Sequence, residues 1–232
     1  MERLVLFDID CTLIDGHGAG TRAILRAVRE VYGAEGDLGA YSFHGRTDPA
    51  IVRDIVALWS TGDDALAQTI EDRLPDCLTR YVELLEHEIS VGHVEVLPGV
   101  QALITALAAD RRTIVGLLTG NVEPGARLKL APTELLPHFR VAAYGSDSEK
   151  RPDLPAIAVE RARSLTGHRF AGKEIVIIGD TPADITCGAD LGVRTIAVAT
   201  GRYTVADLIA HQPDYVFADM GEWQAVYNAI LA

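Results

Sequence analysis

The sequence predicts an α/β fold: a doubly wound parallel sheet with a small all-helical unit inserted after its first strand. Three observations carry this. Short β-branched apolar runs recur along the chain, helical patterns lie between them, and from about residue 18 to residue 90 only helical spacing continues. With 232 residues, 48% of them hydrophobic, the chain can build one large domain or a core with a smaller insertion.

The first strand is "RLVLF" at 3–7, followed in the core by "TIVGLL" at 113–118, "EIVIIG" at 174–179 and "RTIAVA" at 194–199. All four are short and bounded by Gly, Asp or Thr, as parallel strands covered on both faces tend to be. Weaker candidates are "RVAAYG" around Val141 and "DYVFA" around Val216. Helical patterns fall at 100–109, 155–165, 183–191 and 222–231. In the insert, Ile24, Val28 and Val31 recur at helical spacing, as do Ile51, Ile55 and Leu58, and then Leu66, Ile70, Leu74, Leu78, Val82, Leu85 and Ile89. Pro75 is expected to divide the last series, and Asp48 before Pro49 to start a helix as its capping side chain. The division is therefore residues 1–15 and 91–232 for the core and 16–90 for the insert.

A formal net charge of −12 argues against nucleic acid and anionic membrane as partners, since both would be repelled at long range. An anionic substrate then needs a local positive device. Cys11, Cys77 and Cys187 form neither a CxxC pair nor a disulfide framework, and no run of about eighteen apolar residues is present, so a cytoplasmic protein is expected.

The run "LVLFDIDCTLIDG" drives apolar strand residues into two carboxylates, Asp8 and Asp10. Positions i and i+2 of a strand point the same way, so both acids are expected to face the crevice beyond the carboxyl end of the sheet, where open α/β sheets bind ligands. Their repulsion disappears if a hard divalent cation takes oxygen ligands between them, and Mg²⁺ is the natural candidate; the plainer alternative is turn capping. A second strand end carries "GDTPAD", bringing Asp180 to the same edge, while Thr181 and Pro182 read as the cap and first turn of a helix. Asp184, one turn in, is placed to hold ligands from behind. A third strand end, "LLTGN", offers the Thr119 hydroxyl, a close backbone approach at Gly120, and helix-start amides suited to a phosphate oxygen; a plain strand-to-helix turn explains it equally. "SEKRPDLP" supplies Lys150 and Arg151 as candidate cations, or as solvated loop charges.

In this order and at these spacings the four pieces, D-x-D-x-T at 8–12, Thr119, a basic residue before Pro at Arg151, and G-D-T-x-x-D at 179–184, resemble the haloacid dehalogenase superfamily, specifically its phosphatases of the phosphoglycolate phosphatase type. The resemblance covers nearly the whole chain. It implies a Rossmann-like core with a helical cap, and a phosphomonoester hydrolase acting on a small phosphorylated metabolite. Asp8 would be the nucleophile, and Asp10 the acid that protonates the leaving alcohol and then the base that activates water. Mg²⁺ would be held by the side chains of Asp8 and Asp180 and the backbone carbonyl of Asp10. Thr119, Gly120 and Asn121, with a basic side chain, would bind the phosphoryl oxygens.

The family's third motif usually carries Lys, and here Arg151 takes that place with Lys150 adjacent; fork and point charge are not equivalent partners for phosphate. The loop "HGRTD" at 44–48 is of a kind that faces the site and contacts the leaving group in related caps, so Arg46 would meet an acidic substrate, unless it is an ordinary surface arginine. Competing readings are a dehalogenase, a phosphosugar mutase, and a phospho-receiver module, which needs about half this length and no cap. The substrate's identity and the oligomeric state have no motif in the chain.

Overall fold

The computed structural model describes residues 2–60 and 64–232. Strand β1 (Arg3–Phe7) is buried along its whole length and pairs in parallel with β4 (Thr113–Leu118) on one side and β6 (Ile175–Gly179) on the other. With β5 (Val141–Ala143), β7 (Arg194–Val198) and β8 (Tyr215–Phe217) they form one six-stranded sheet of order β5-β4-β1-β6-β7-β8, parallel throughout.

Alternate residues of β1 show why the sheet is covered on both faces. Val5 and Phe7 pack into one apolar cluster with Leu103 and Ile104 of α5 (Val100–Ala109) and Val226 and Ile230 of α10 (Trp223–Leu231). Leu4 and Leu6 pack into another with Leu154, Ala158 and Ala162 of α7 (Leu154–Thr166). A period of two on a doubly covered strand reads as an unbroken apolar run, which is what residues 3–7 are.

The insert comprises α1 (Ala19–Tyr32), α2 (Asp48–Trp59), the single turn α3 (Asp64–Ala67) and α4 (Ile70–Val91). It holds most of a separate apolar cluster, built on Ile24, Val28, Ile55, Tyr81 and Leu85 and joined from the core by Val122. Two short antiparallel strands, β2 (Ile14–Asp15) and β3 (Glu95–Val96), tie its two connections together.

Three expectations need correction. Pro75 does not divide the last helical series: it lies six residues into α4, where it forfeits one backbone hydrogen bond, and the Thr79 hydroxyl donates to its carbonyl at 2.9 Å. Thr47, not Asp48, caps α2, its hydroxyl accepting from the Ala50 amide at 3.4 Å; Asp48 is the first helical residue and its carboxylate is spent elsewhere. The helix expected at 183–191 ends early: α8 spans Pro182–Thr186, and at Gly188 even a Cβ would come within 2.6 Å of Val193, so the chain turns there against β7.

Candidate active site

The parallel sheet delivers three chain ends to one edge. β1 stops at Phe7, and the Asp8 amide donates to the Ile178 carbonyl at 2.9 Å, which sets Asp8 beside the end of β6. Asp180 follows β6 directly, and Thr119 follows β4, its amide bonded to the Ala143 carbonyl at 3.0 Å. Between this edge and the insert lies a cavity of about 250 Å³ whose walls include Asp8, Asp10, Thr119, Arg151 and Asp180. The insert is docked there by backbone contact. The Asp48 amide donates to the Gly120 carbonyl at 2.8 Å, and a Cβ on Gly120 would stand 2.0 Å from the Arg46 carbonyl. Gly120 therefore admits the insert's backbone, rather than only a ligand.

Asp8, Asp180 and Asp184 each bring one carboxylate oxygen within 4.8 Å of the others, and all three are buried. Arg151 is buried among them, its Nη2 lying 3.2 Å from Asp8 Oδ1 and 2.5 Å from Asp184 Oδ1. The neighbouring Lys150 is exposed, so the structure places Arg151 and not Lys150 in the crevice. Asp184 also accepts from the Thr181 amide at 3.0 Å and hydroxyl at 2.6 Å, which anchors it as part of the cap of α8. Among the described residues, Asp180 Oδ1 has only a long 3.4 Å bond from Thr12, and its Oδ2 is buried with no hydrogen-bond partner.

Electrostatics follow from this packing. Burial, with Asp184 and Asp8 close by, pushes the Asp180 carboxyl up to about 9. Burial likewise raises Asp8 to about 6, Asp184 and Asp10 adding to it while Arg151 opposes. Burial works against the Arg151 charge, but Asp184 and Asp8 outweigh it and hold the guanidinium more firmly protonated than usual. Such a set fits a hard divalent ion: oxygen donors only, mutual repulsion, and one buried oxygen left unpartnered.

Asp10 lies on the same cavity but outside this group. The strand has ended at Phe7, so simple alternation no longer governs where the side chain goes. Its carboxylate accepts from Lys129 Nζ at 2.8 Å on both oxygens and from Asn121 Nδ2 at 2.7 Å. The surrounding protein works to raise this carboxyl, yet Lys129 and Asn121 prevail and hold it below the ordinary carboxylate range. Asn121 also bonds the Thr119 hydroxyl at 2.8 Å, and so ties two expected phosphate-binding side chains to Asp10.

Arg46 lines the cavity, but its guanidinium is bound to Asp54 at 2.5 Å and lies over the Tyr41 ring, so it is engaged with the insert's own surface. The helix-start amide of Val122 is also taken, by Asp48 Oδ2 at 2.8 Å.

Sequence reasoning passed over Lys129 and Tyr81, and read Asp48 only as a helix cap. Lys129 had a signal: α6 (Glu123–Leu130) buries Gly125, Ala126 and Leu130, and Lys129 falls on that inward stripe two turns beyond Asn121. A lysine there is buried only if paired.

Comparison with known proteins now decides the family. Residues 5–198 match the family model described as haloacid dehalogenase-like hydrolase. The chain is a haloacid dehalogenase-like hydrolase. It is similar, at 25% identity over 222 residues covering 95% of this hydrolase and 91% of the relative, to a protein of Caldanaerobacter subterraneus subsp. tengcongensis named as a pyrophosphatase, PpaX. A protein of Dickeya dadantii named as a phosphatase, IndB, is 24% identical over 238 residues, covering 100% of this chain and 96% of its own. Among solved structures, a hydrolase from Pseudomonas syringae superposes on this haloacid dehalogenase-like hydrolase with a TM-score of 0.70 at 16% identity, covering 100% of both chains. No helix among the described residues is long and apolar enough to cross a membrane.

Proposed function

We propose that this hydrolase is a Mg²⁺-dependent phosphatase that cleaves a small phosphomonoester through an aspartyl-phosphate on Asp8, with residues 16–90 acting as a cap over a core of 1–15 and 91–232. The observation that carries the reading is Asp8 itself: a buried carboxylate at the end of the central strand, fixed by Arg151, beside an acid with an unpartnered oxygen. Asp8 and Asp180 would hold the ion, with the Asp10 backbone carbonyl, and Asp184 would steady them. When bound, Mg²⁺ would damp the repulsion between the carboxylate and a phosphate dianion.

An Asp8 oxygen forms the new bond to phosphorus as the ester P–O bond breaks; the negative charge of the bound phosphate favours the protonated form of the otherwise ionised Asp10, which gives that proton to the departing alkoxide. In the second step water attacks phosphorus, Asp10 takes a proton from it, and the bond to Asp8 breaks to release inorganic phosphate. Thr119, the Gly120 amide, Asn121 and Arg151 would receive the equatorial oxygens, and the cap excludes bulk water from the acyl phosphate. A metabolite small enough for a cavity of about 250 Å³ is the substrate class this favours.

The test is phosphate release from a panel of phosphorylated metabolites with and without Mg²⁺, with Asp8→Asn beside the parent. Steady Mg²⁺-dependent release by the parent, abolished in the variant, is expected. Parent-like turnover by Asp8→Asn removes Asp8 as nucleophile. Transfer to a second hydroxyl with no free phosphate identifies a mutase, and a phosphoprotein that does not turn over identifies a receiver.

A further inference from the structure

Lys129 is a buried cation to which the proposed reaction gives no role. Its Nζ carries three N–H donors, and the structure accounts for all of them: Asp10 Oδ1 and Oδ2, each at 2.8 Å, and Asn121 Oδ1 at 2.6 Å. No donor remains for a phosphate. Two of the bonds run instead to the one carboxylate that must meet the leaving group, and Asn121 adds a third contact to it at 2.7 Å. An ammonium that is 5% exposed is retained at the cost of desolvation, which the charges of Asp10 and Asp48 and the bond to Asn121 oppose. The insert is shaped around the same atom: a Cβ on Gly20 of α1 would lie 3.1 Å from Nζ and 3.7 Å from the Tyr81 hydroxyl.

We propose that Lys129 is a positioning residue that locks the Asp10 carboxylate in the orientation from which it exchanges a proton with the leaving group. The proposal rests on the phosphatase reading, because only there does Asp10 carry that proton. In the step concerned the ester P–O bond breaks, the electron pair goes to the leaving oxygen, and the Asp10 proton follows it. An alkoxide or phenoxide needs this proton, whereas p-nitrophenoxide departs without it.

The test compares Lys129→Met, close in length but uncharged, with the parent on two esters of nearly equal shape, phenyl phosphate and p-nitrophenyl phosphate. Release of each phenol is followed in a single turnover with Mg²⁺. Loss of a positioned acid is expected to slow phenol release about 100-fold while slowing p-nitrophenol release less than about fivefold. Equal losses on the two esters would mean a structural role, and parent-like rates on both would mean none; either overturns the proposal. If Lys129→Met does not fold, Gly20→Ala carries the test, since its methyl nudges Nζ without altering charge and alanine favours the helix. A selective loss of about threefold or more on phenyl phosphate is then expected, and equal rates on both esters overturn the idea. A parent enzyme that shows no Mg²⁺-dependent turnover of p-nitrophenyl phosphate would instead sink the phosphatase reading itself.

Discussion

Gly120→Ala tests the docking of the helical unit most directly. The backbone at Gly120 has no positive φ, so alanine is compatible with the local conformation and the core itself is not strained. The added Cβ would stand 2.0 Å from the Arg46 carbonyl oxygen and 3.0 Å from Thr47 Cα, both in the insert. Restoring ordinary contact at 3.4 Å requires the loop to retreat by about 1.4 Å (3.4 − 2.0). That retreat stretches the 2.8 Å bond from the Asp48 amide to Gly120 and the 2.8 Å bond from the Val122 amide to Asp48. Overpacking costs about 1–3 kcal/mol, and each lost bond about 1 kcal/mol or more. A total near 3 kcal/mol against the docked arrangement corresponds to a fall of up to roughly 150-fold in its population. Phosphatase kcat/KM should drop accordingly, and the radius of gyration from X-ray scattering should increase, while the core sheet keeps its amide-exchange protection. Parent-like kcat/KM with an unchanged radius of gyration would show that the close fit at Gly120 does not govern docking.

Three further outcomes follow from the same structure. Asp8 at about 6 and Asp180 at about 9 lie above their ordinary 3.8, so the metal-free folded protein keeps protons that the unfolded chain gives up. Its stability from these groups is present near pH 4 and is lost as pH rises through 6 and then 9; melting curves should show this, and the gain in Tm on adding Mg²⁺ should grow over the same range and shrink in Asp180→Asn. Arg151→Met leaves the buried Asp8 and Asp184 without their cation and should destabilise the metal-free protein by about 3–5 kcal/mol in urea titrations at neutral pH. Leu85→Ala removes a fully buried side chain of the insert's apolar cluster and should cost about 2–5 kcal/mol, with faster amide exchange in α1, α2 and α4 and little change in the sheet.

Most of the fold was legible because its strands are buried on both faces. Residues 3–7 and 113–118 form strands with the bounds their apolar runs indicate, and the insert announced itself by a switch in period from strand to helix. Departures came where one residue type serves two purposes. A proline breaks a helix in its middle but is tolerated near its start, as Pro75 is, and Asp48 has the chemistry of a cap while Thr47, one residue earlier, does the capping. The site was legible as far as the strands carry it: Asp8, Thr119 and Asp180 follow β1, β4 and β6, and parallel strands must present their ends on one edge. Tyr81 reaches the cavity from a helix of the insert, whose placement depends on how insert and core dock, which no local pattern encodes. Lys129 left a trace as the lone inward lysine of α6, and it points to a partner without naming Asp10.

The two buried cations divide the acids of the crevice into sets with different charge. Around Arg151 stand Asp8, Asp180 and Asp184, and with all three ionised the set carries a net charge of −2 (one cation against three anions). Around Lys129 stand Asp10 and, from the insert, Asp48, for a net charge of −1 when both are ionised. The first set is matched by a divalent cation, which would release the protons that Asp8 and Asp180 otherwise retain. The second set has no such deficit, and its ammonium is already saturated by Asp10 and Asn121. One side of the cavity therefore suits an ion and the phosphoryl group it would draw in, and the other suits a proton carrier held still. Exchanging the two cations, Arg151→Lys with Lys129→Arg, keeps the total charge but replaces each fork by a point and each point by a fork. If charge alone sets the division, the exchanged protein keeps its Mg²⁺ affinity and its turnover; if geometry sets it, as the three saturated donors of Lys129 imply, turnover falls while Mg²⁺-dependent stabilisation survives.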